Sequence, residues 1–136
     1  MAYWLMKSEP AVYPWEKLVK DQRGSWDGVR NYQAANNLRA MQIGDEAFFY
    51  HSNEGLAIIG VMKIVKTAYP DPSDATGKFV MVDVAPVRTL KRPITLREIK
   101  ADKILGQMAM VRQMRLSVSP VTKGEWEKVN QLEKAG

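Results

Sequence analysis

No cysteine occurs among the 136 residues, and there is a single histidine, His51. The first absence excludes disulfides and thiolate metal sites. The second excludes a multi-histidine centre, so carboxylates would have to supply the remaining ligands of any metal. Neither a metal nor a cofactor is expected. No apolar run approaches the roughly 20 residues that a membrane span requires. The start, Met1-Ala2-Tyr3-Trp4-Leu5-Met6-Lys7, lacks the basic-then-apolar order of a secretion signal. A soluble protein of the cytoplasm, or of the nucleus in a nucleated cell, is expected. Glycine-rich phosphate loops are missing too: Gly24-Ser25-Trp26-Asp27-Gly28 matches neither the Walker nor the dinucleotide spacing. Ser52 follows His51, but neighbours on a strand face opposite sides and make no nucleophile–base pair. With no catalytic constellation, no catalytic residue is assigned and a non-enzymatic protein is expected.

What is present fits one globular domain spanning residues 1–136. Hydrophobic residues are 46% and charged residues 26% of the chain, ordinary values for a domain that buries a real core. The net charge is +5. Its distribution is uneven: between Arg88 and Arg115 eight basic residues face only Glu98 and Asp102. Such a segment either collects phosphates or is a solvated face. Arg88, Lys91, Arg92, Arg112, Arg115 and Ser117 are the candidates for nucleic-acid backbone contact.

Patterning predicts a strand over Tyr3–Lys7 and a helix from Pro14, well placed in a first turn, to about Asp21. Gly24–Gly28 reads as a loop. Tyr32, Ala35, Leu38 and Met41 recur at three-residue steps, as on one helix face between Asn31 and Met41. Ala47–His51 and Leu56–Lys66 read as strands joined through Ser52-Asn53-Glu54-Gly55, a hairpin signal. A surface loop over Asp71–Gly77 precedes a long strand, Phe79–Leu90, with Pro86 marking an edge or a bulge. Thr95 and Glu98 have capping-box spacing, as do Thr122 and Glu125. Helices are expected after each, the last burying Trp126, Val129 and Leu132. Ile104–Val111 reads as a further helical turn and Leu116–Val121 as a strand. The order implies an α+β fold with a mixed sheet.

Chemistry concentrates in three short stretches. Trp26, Asp27, Gly28, Arg30, Asn31 and Tyr32 span a loop and a helix start. Indole and phenol rings stack on any base, for roughly 1–3 kcal/mol each. Asp accepts from an exocyclic amine, and Asn both donates and accepts at a base edge. Gly28 admits close backbone approach, and Arg30 suits a phosphate or a base face. The plainer alternative makes Trp26 and Tyr32 core residues, Asp27 a helix cap and Arg30 its partner. Phe49-Tyr50-His51-Ser52-Asn53 is either a polar-tipped wall or an ordinary strand end. Lys7-Ser8-Glu9-Pro10 is either part of a site or the exit from the first strand.

These stretches resemble the EVE domain family: Tyr3-Trp4-Leu5-Met6-Lys7-Ser8-Glu9-Pro10, then Trp26-Asp27-Gly28-Val29-Arg30-Asn31-Tyr32-Gln33-Ala34, then Phe49-Tyr50-His51-Ser52. Arg115-Leu116-Ser117-Val118, Pro120-Val121 and Glu125-Trp126 complete the pattern, which covers essentially the whole chain. The resemblance implies a PUA-like fold, a small mixed β-barrel with short helices around it, related to the YTH readers of methylated adenine. It also implies binding of a modified base, notably methylated or oxidised cytosine in DNA. The implied pocket draws on Lys7, Ser8, Glu9, Pro10, Trp26, Asp27, Gly28, Arg30, Asn31, Tyr32, Tyr50, His51 and Ser52. Two departures stand out. Ala35 occupies a position where the family usually has Arg, and the loop from Tyr69 to Lys78 is short, which predicts a more open wall on that side.

The leading expectation is therefore a reader whose partner is nucleic acid carrying a modified base, DNA before RNA, with no membrane partner. An RNA-directed reader is the first alternative. An enzyme on a nucleotide-like small molecule, using Glu9, Asp27 or His51 as acid or base, is the second. A protein-interaction domain with a vestigial pocket is the third.

Overall fold

A computed structural model describes residues 1–52 and 55–135. Asn53 and Glu54, the middle of the expected hairpin turn, lie outside the described residues. The strands are β1 (Tyr3–Ser8), β2 (Gly24–Ser25), β3 (Glu46–His51), β4 (Ala57–Pro70), β5 (Val80–Thr95) and β6 (Val118–Val121). The helices are α1 (Trp15–Asp21), α2 (Tyr32–Ala40), α3 (Leu96–Ala101), α4 (Ala109–Arg112) and α5 (Lys123–Ala135). A 3-10 turn covers Leu105–Gln107.

One six-stranded sheet, ordered β2-β5-β4-β3-β1-β6, carries two cores. On β1, Trp4 and Met6 enter the first core with Trp15 and Leu18 of α1 and Leu38 of α2. Leu5, between them, enters the second with Ile99, Leu105, Met110, Trp126 and Val129. On β3, Ala47 and Phe49 face the first core, and Phe48 and Tyr50 the second. Burial on both faces is why these strands read as unbroken apolar runs rather than as alternation.

The mixed α+β fold is as the sequence implied, but the sheet does not close. Among the described residues its end strands, β2 and β6, pair only with β5 and β1. β2 is two residues long, and helices on both faces already bury what closure would have buried. "Barrel" is therefore a loose description of this architecture.

The β1–β3 pair is parallel, from Tyr3 opposite Glu46 to Ser8 opposite His51; the other pairs are antiparallel. That single parallel pairing sets the ends of two sequence motifs side by side. β2 appears where a loop was expected, because two residues are too few to show a periodicity; Gly24 and Ser25 pair with Val84 and Asp83. β4 and β5 run further than the patterning predicts, and their register slips at four places, one of them where Pro86 lies opposite Met62. The capping spacings differ in outcome. Thr122 and Glu125 satisfy each other's backbone N–H groups, at 2.9 and 3.2 Å. Thr95 caps Glu98 N at 3.2 Å, but the Glu98 carboxylate turns to Arg92 instead.

Gly60 on β4 lies against the indole of Trp15, so closely that any Cβ there would overlap the ring. The indole is held in place by a 2.9 Å hydrogen bond from Nε1 to Thr89 Oγ1. Gly60→Ala is therefore expected to cost roughly 1–3 kcal/mol through overpacking, read as a lower urea midpoint with an unchanged slope.

Candidate functional site

A cleft of about 420 Å3 opens where β1 ends, lined by Lys7, Ser8, Glu9, Val12, Tyr13, Ser25, Trp26, Asp27 and Gly28. That volume lies within the roughly 300–1,000 Å3 typical of small-ligand sites. One wall is the turn after β1, in which the N–H groups of Val12 and Tyr13 both donate to the Glu9 carbonyl, each at 2.9 Å. Ser8 Oγ donates to the Tyr13 carbonyl at 2.7 Å and closes that turn. The opposite wall is the segment after β2, anchored by the Trp26 N–H to the Val82 carbonyl at 2.7 Å.

Trp26 is both core and wall. The residue is only 6% exposed. Its ring meets Phe49 edge-on at 5.4 Å and Tyr13 at 6.4 Å, yet it borders the cleft. The two readings of this residue are thus not alternatives: packing against Phe49 fixes the indole that the cleft presents. Asp27 and Glu9 bring exposed carboxylates to the same space, suited to the exocyclic amine of a base.

Lys7 Nζ donates to the Met114 carbonyl at 2.8 Å and to that of Met110 at 3.5 Å. Burial holds its ammonium below the usual lysine range. The cation therefore ties the cleft to the end of α4, where exposed carbonyls favour positive charge.

The remaining expected pocket residues take other positions. Pro10 is in the turn but does not line the cleft. Asn31 caps α2, its Oδ1 accepting from Ala34 N at 2.9 Å. Tyr32 is 62% exposed and leans over Phe79 with ring centroids 5.1 Å apart, so it belongs neither to the buried helix face nor to the cleft. Tyr50 is buried in the second core and does not line the cleft, because it points opposite to Phe49; its ring lies under the Lys7 ammonium, 5.9 Å from Nζ to the ring centroid. Ser52 holds the strand end through its N–H to the Ser8 carbonyl at 2.9 Å. Ala35, where the family usually has Arg, is fully buried.

His51 serves α1. Its Nε2 accepts from the backbone N–H of Trp15 at 3.3 Å, one of the donors that every helix start leaves open. Burial lowers its pKa from the usual 6.5, and Glu16 opposes that shift more weakly. A depressed histidine is neutral in the fold, while the unfolded chain takes up its proton first. Its contribution is present above pH 6.5 and is lost as pH falls through the folded value. Thermal melts between pH 8 and pH 5 are expected to show this loss, and His51→Gln, which keeps an acceptor, to remove that part of the slope.

Arg30 and Gly28 are organised by a residue that the motifs do not include. Asp71 is buried, and its Oδ2 accepts from Gly28 N at 2.8 Å and from Arg30 Nη1 at 3.1 Å. Its Oδ1 accepts from Ser73 N at 2.8 Å and Ser73 Oγ at 2.6 Å. Burial alone would raise the carboxyl, but the hydrogen bonds from Ser73, Gly28 and Arg30 together bring it to about 2. The short loop after β4 was expected to leave that wall open. It supplies no lining side chain, but it clasps the pocket segment through this carboxylate. A second buried carboxylate, Asp83, accepts from Ser25 Oγ and Arg23 Nη2, each at 2.9 Å, and from the Tyr69 hydroxyl. Asp71, Asp83 and Tyr13 carried no signal in the sequence, since they are remote from the motifs or lack their spacing.

The basic segment is split by the fold. Arg88 grips the buried carboxylate of Glu133 at 2.6 and 2.8 Å, and the Lys91 N–H donates to the same group at 2.7 Å. Arg92 makes two 2.8 Å bonds to Glu98 and a 2.9 Å bond to the Leu132 carbonyl. Arg88 and Arg92 thus fasten α5 over the second core, away from the core that holds Trp26. Arg112 and Arg115 are exposed, on either side of the Met114 carbonyl that holds Lys7, and the Ser117 carbonyl accepts Lys7 N at 2.8 Å.

With this geometry in place, comparison with known proteins is decisive for the family. The model of the EVE domain matches residues 2–132. The chain is an EVE-domain protein. Rat thymocyte nuclear protein 1 is 44% identical, over 98% of this chain and 74% of its own length. The protein Rpa0253 from Rhodopseudomonas palustris, solved by NMR, is 47% identical with a TM-score of 0.93, covering 99% of this chain and 94% of that one. Human THYN1, solved in complex with DNA containing 5-methylcytosine, is 42% identical with a TM-score of 0.90, over 98% of each chain. No helix among the described residues of this EVE-domain protein is long and apolar enough to cross a membrane.

Proposed function

We propose that this EVE-domain protein is a binding module for DNA carrying a modified cytosine, with the base held in the cleft between the turn after β1 and the segment after β2. What carries the reading is the human relative crystallised with 5-methylcytosine DNA, whose fold covers nearly all of this chain. Trp26 gives a flat apolar wall and Asp27 and Glu9 give acceptors for the cytosine amine. A base leaves a duplex for such a cleft by flipping, at a cost of a few kcal/mol. The pocket is Lys7, Ser8, Glu9, Trp26, Asp27 and Gly28 of the expected set, joined by Val12, Tyr13 and Ser25. Phosphate contacts fall to Arg112, Arg115 and the exposed Lys91, since Arg88 and Arg92 are engaged with carboxylates of the chain itself, whereas Arg112 gives only its Nε, at 2.8 Å, to the Gln107 carbonyl.

We read the site as one of recognition rather than turnover. His51, the one histidine, accepts from backbone and does not line the cleft. The whole of residues 1–136 is taken as one domain, and the protein is expected wherever the cell keeps its DNA.

Matched duplexes with cytosine, 5-methylcytosine or an oxidised cytosine at one position test the reading, together with RNA of the same sequence. The expected result is tighter binding of a modified DNA, weakening with salt in proportion to the phosphates engaged. Equal affinity for modified and plain DNA would remove the proposal. Preference for the RNA would move the partner to that sugar.

A further inference from the structure

Tyr13 borders the cleft and meets the Trp26 ring edge-on. Its hydroxyl oxygen is buried and has no hydrogen-bond partner among the described residues. The ring end lies over Gly24, where any Cβ would overlap the phenol oxygen. Burial raises the phenol above its usual range, as does the charge of Asp21, so the group keeps its proton and is a donor. A buried donor without an acceptor is unfavourable, and a phenol normally finds one. In a site for a flat heterocycle, the missing acceptor has an evident source: pyrimidine bases carry keto and ring-nitrogen acceptors on the edge that pairing uses.

From this geometry we infer that Tyr13 is a specificity residue of the cleft: its phenol turns off Gly24 when a base enters and donates to an acceptor on the base edge. The inference rests on the proposed function and names a residue outside the sequence motifs. Because the hydroxyl is unpaired in the free protein, turning it outward breaks no hydrogen bond. Gly24 is the seat that leaves room for the phenol oxygen beforehand.

The consequence is a pair of effects with opposite signs. Tyr13→Phe removes an unsatisfied donor, so the free protein is expected to melt at the same temperature or higher. The same change removes a bond to the base, so affinity for a duplex with one 5-methylcytosine is expected to fall about five- to tenfold. Affinity for the unmodified duplex, held by backbone contacts, is expected to stay. Gly24→Ala crowds the phenol out of its seat with the hydroxyl retained, and is expected to change the methylated-DNA affinity without abolishing it.

Three results would overturn the inference. Tyr13→Phe binding both duplexes as the wild type does, while the wild type still discriminates, removes the role of Tyr13 and leaves the reading of the site intact. A lower melting temperature for Tyr13→Phe shows that the hydroxyl was partnered in the free protein. Equal weakening on both duplexes places its contact on a group that plain and methylated DNA share, and removes its role in discrimination. Loss of discrimination by the wild type itself is a different outcome, and it removes the parent reading along with this one.

Discussion

Trp26→Ala is expected to lower stability by about 3–5 kcal/mol and to abolish discrimination between modified and plain DNA. The stability term follows from burial. The indole is 6% exposed and meets both Phe49 and Tyr13 edge-on, and truncating a buried aromatic forfeits its transfer energy and leaves a cavity. The binding term follows from position, because the same ring forms a cleft wall and base stacking on it is worth roughly 1–3 kcal/mol. Trp26→Phe separates the two. A smaller aromatic is expected to restore most of the melting temperature while recovering only part of the discrimination. Chemical denaturation and a methylated-versus-plain titration at one salt concentration measure both. Full discrimination by a folded Trp26→Ala protein would show that the base lies elsewhere.

Asp71→Ala is expected to cost about 2–3 kcal/mol and to weaken ligand binding without touching the ligand. The carboxylate is buried and satisfies Gly28 N, Arg30 and Ser73 together. Removing it leaves the Gly28 N–H and one side of the guanidinium without their acceptor. Breaking fully buried pairs costs about 3–5 kcal/mol, and Arg30, with its side chain 41% exposed, recovers part of that in water. The pH dependence carries a definite sign. A carboxyl held at about 2 instead of 3.8 contributes on the order of 2 kcal/mol. That contribution is fully present above pH 4 and is lost as pH falls from about 4 through 2. Asp71→Asn, which keeps the shape but not the charge, is expected to make the loss in that window shallower by on the order of 2 kcal/mol, the rest of the acid limb belonging to the other depressed carboxyls. Melts between pH 7 and pH 2 measure the difference from wild type. An acid limb as steep in Asp71→Asn as in the wild type would assign it wholly to the other depressed carboxyls, Asp45, Asp74, Asp83, Glu98, Asp102 and Glu133.

Asp71 also illustrates why part of the site was illegible. In sequence it begins a loop of Pro, Ser and Gly, 43 positions from the Gly28 N–H that it binds. A long-range side-chain bond of this kind leaves no periodicity and no motif. The same holds for the Arg88–Glu133 and Arg92–Glu98 pairs. As a string, residues 88–115 are a basic stripe. In the fold two of its arginines fasten α5, because β5 runs beside that helix. Tyr50 and His51 show a different limit. They share a motif with Phe49, but strand geometry sends Tyr50 to the opposite core, and helix α1 claims the imidazole for its first N–H.

The amino-acid sequence by itself determined the family, the α+β class and most elements, and it named Lys7, Ser8, Glu9, Trp26, Asp27 and Gly28 together with seven residues that do not line the cleft. It did so because those properties reside in local order: capping pairs, apolar runs, turn residues and motifs read along the chain. Only the tertiary structure decided that the sheet stays open, that Tyr13 and not Tyr50 faces the cleft, and which cations remain free. Those outcomes depend on which segments meet across the sheet, above all on the parallel register of β1 with β3. Contacts between distant segments are set by burial of the whole chain at once, and no stretch of neighbouring residues encodes them.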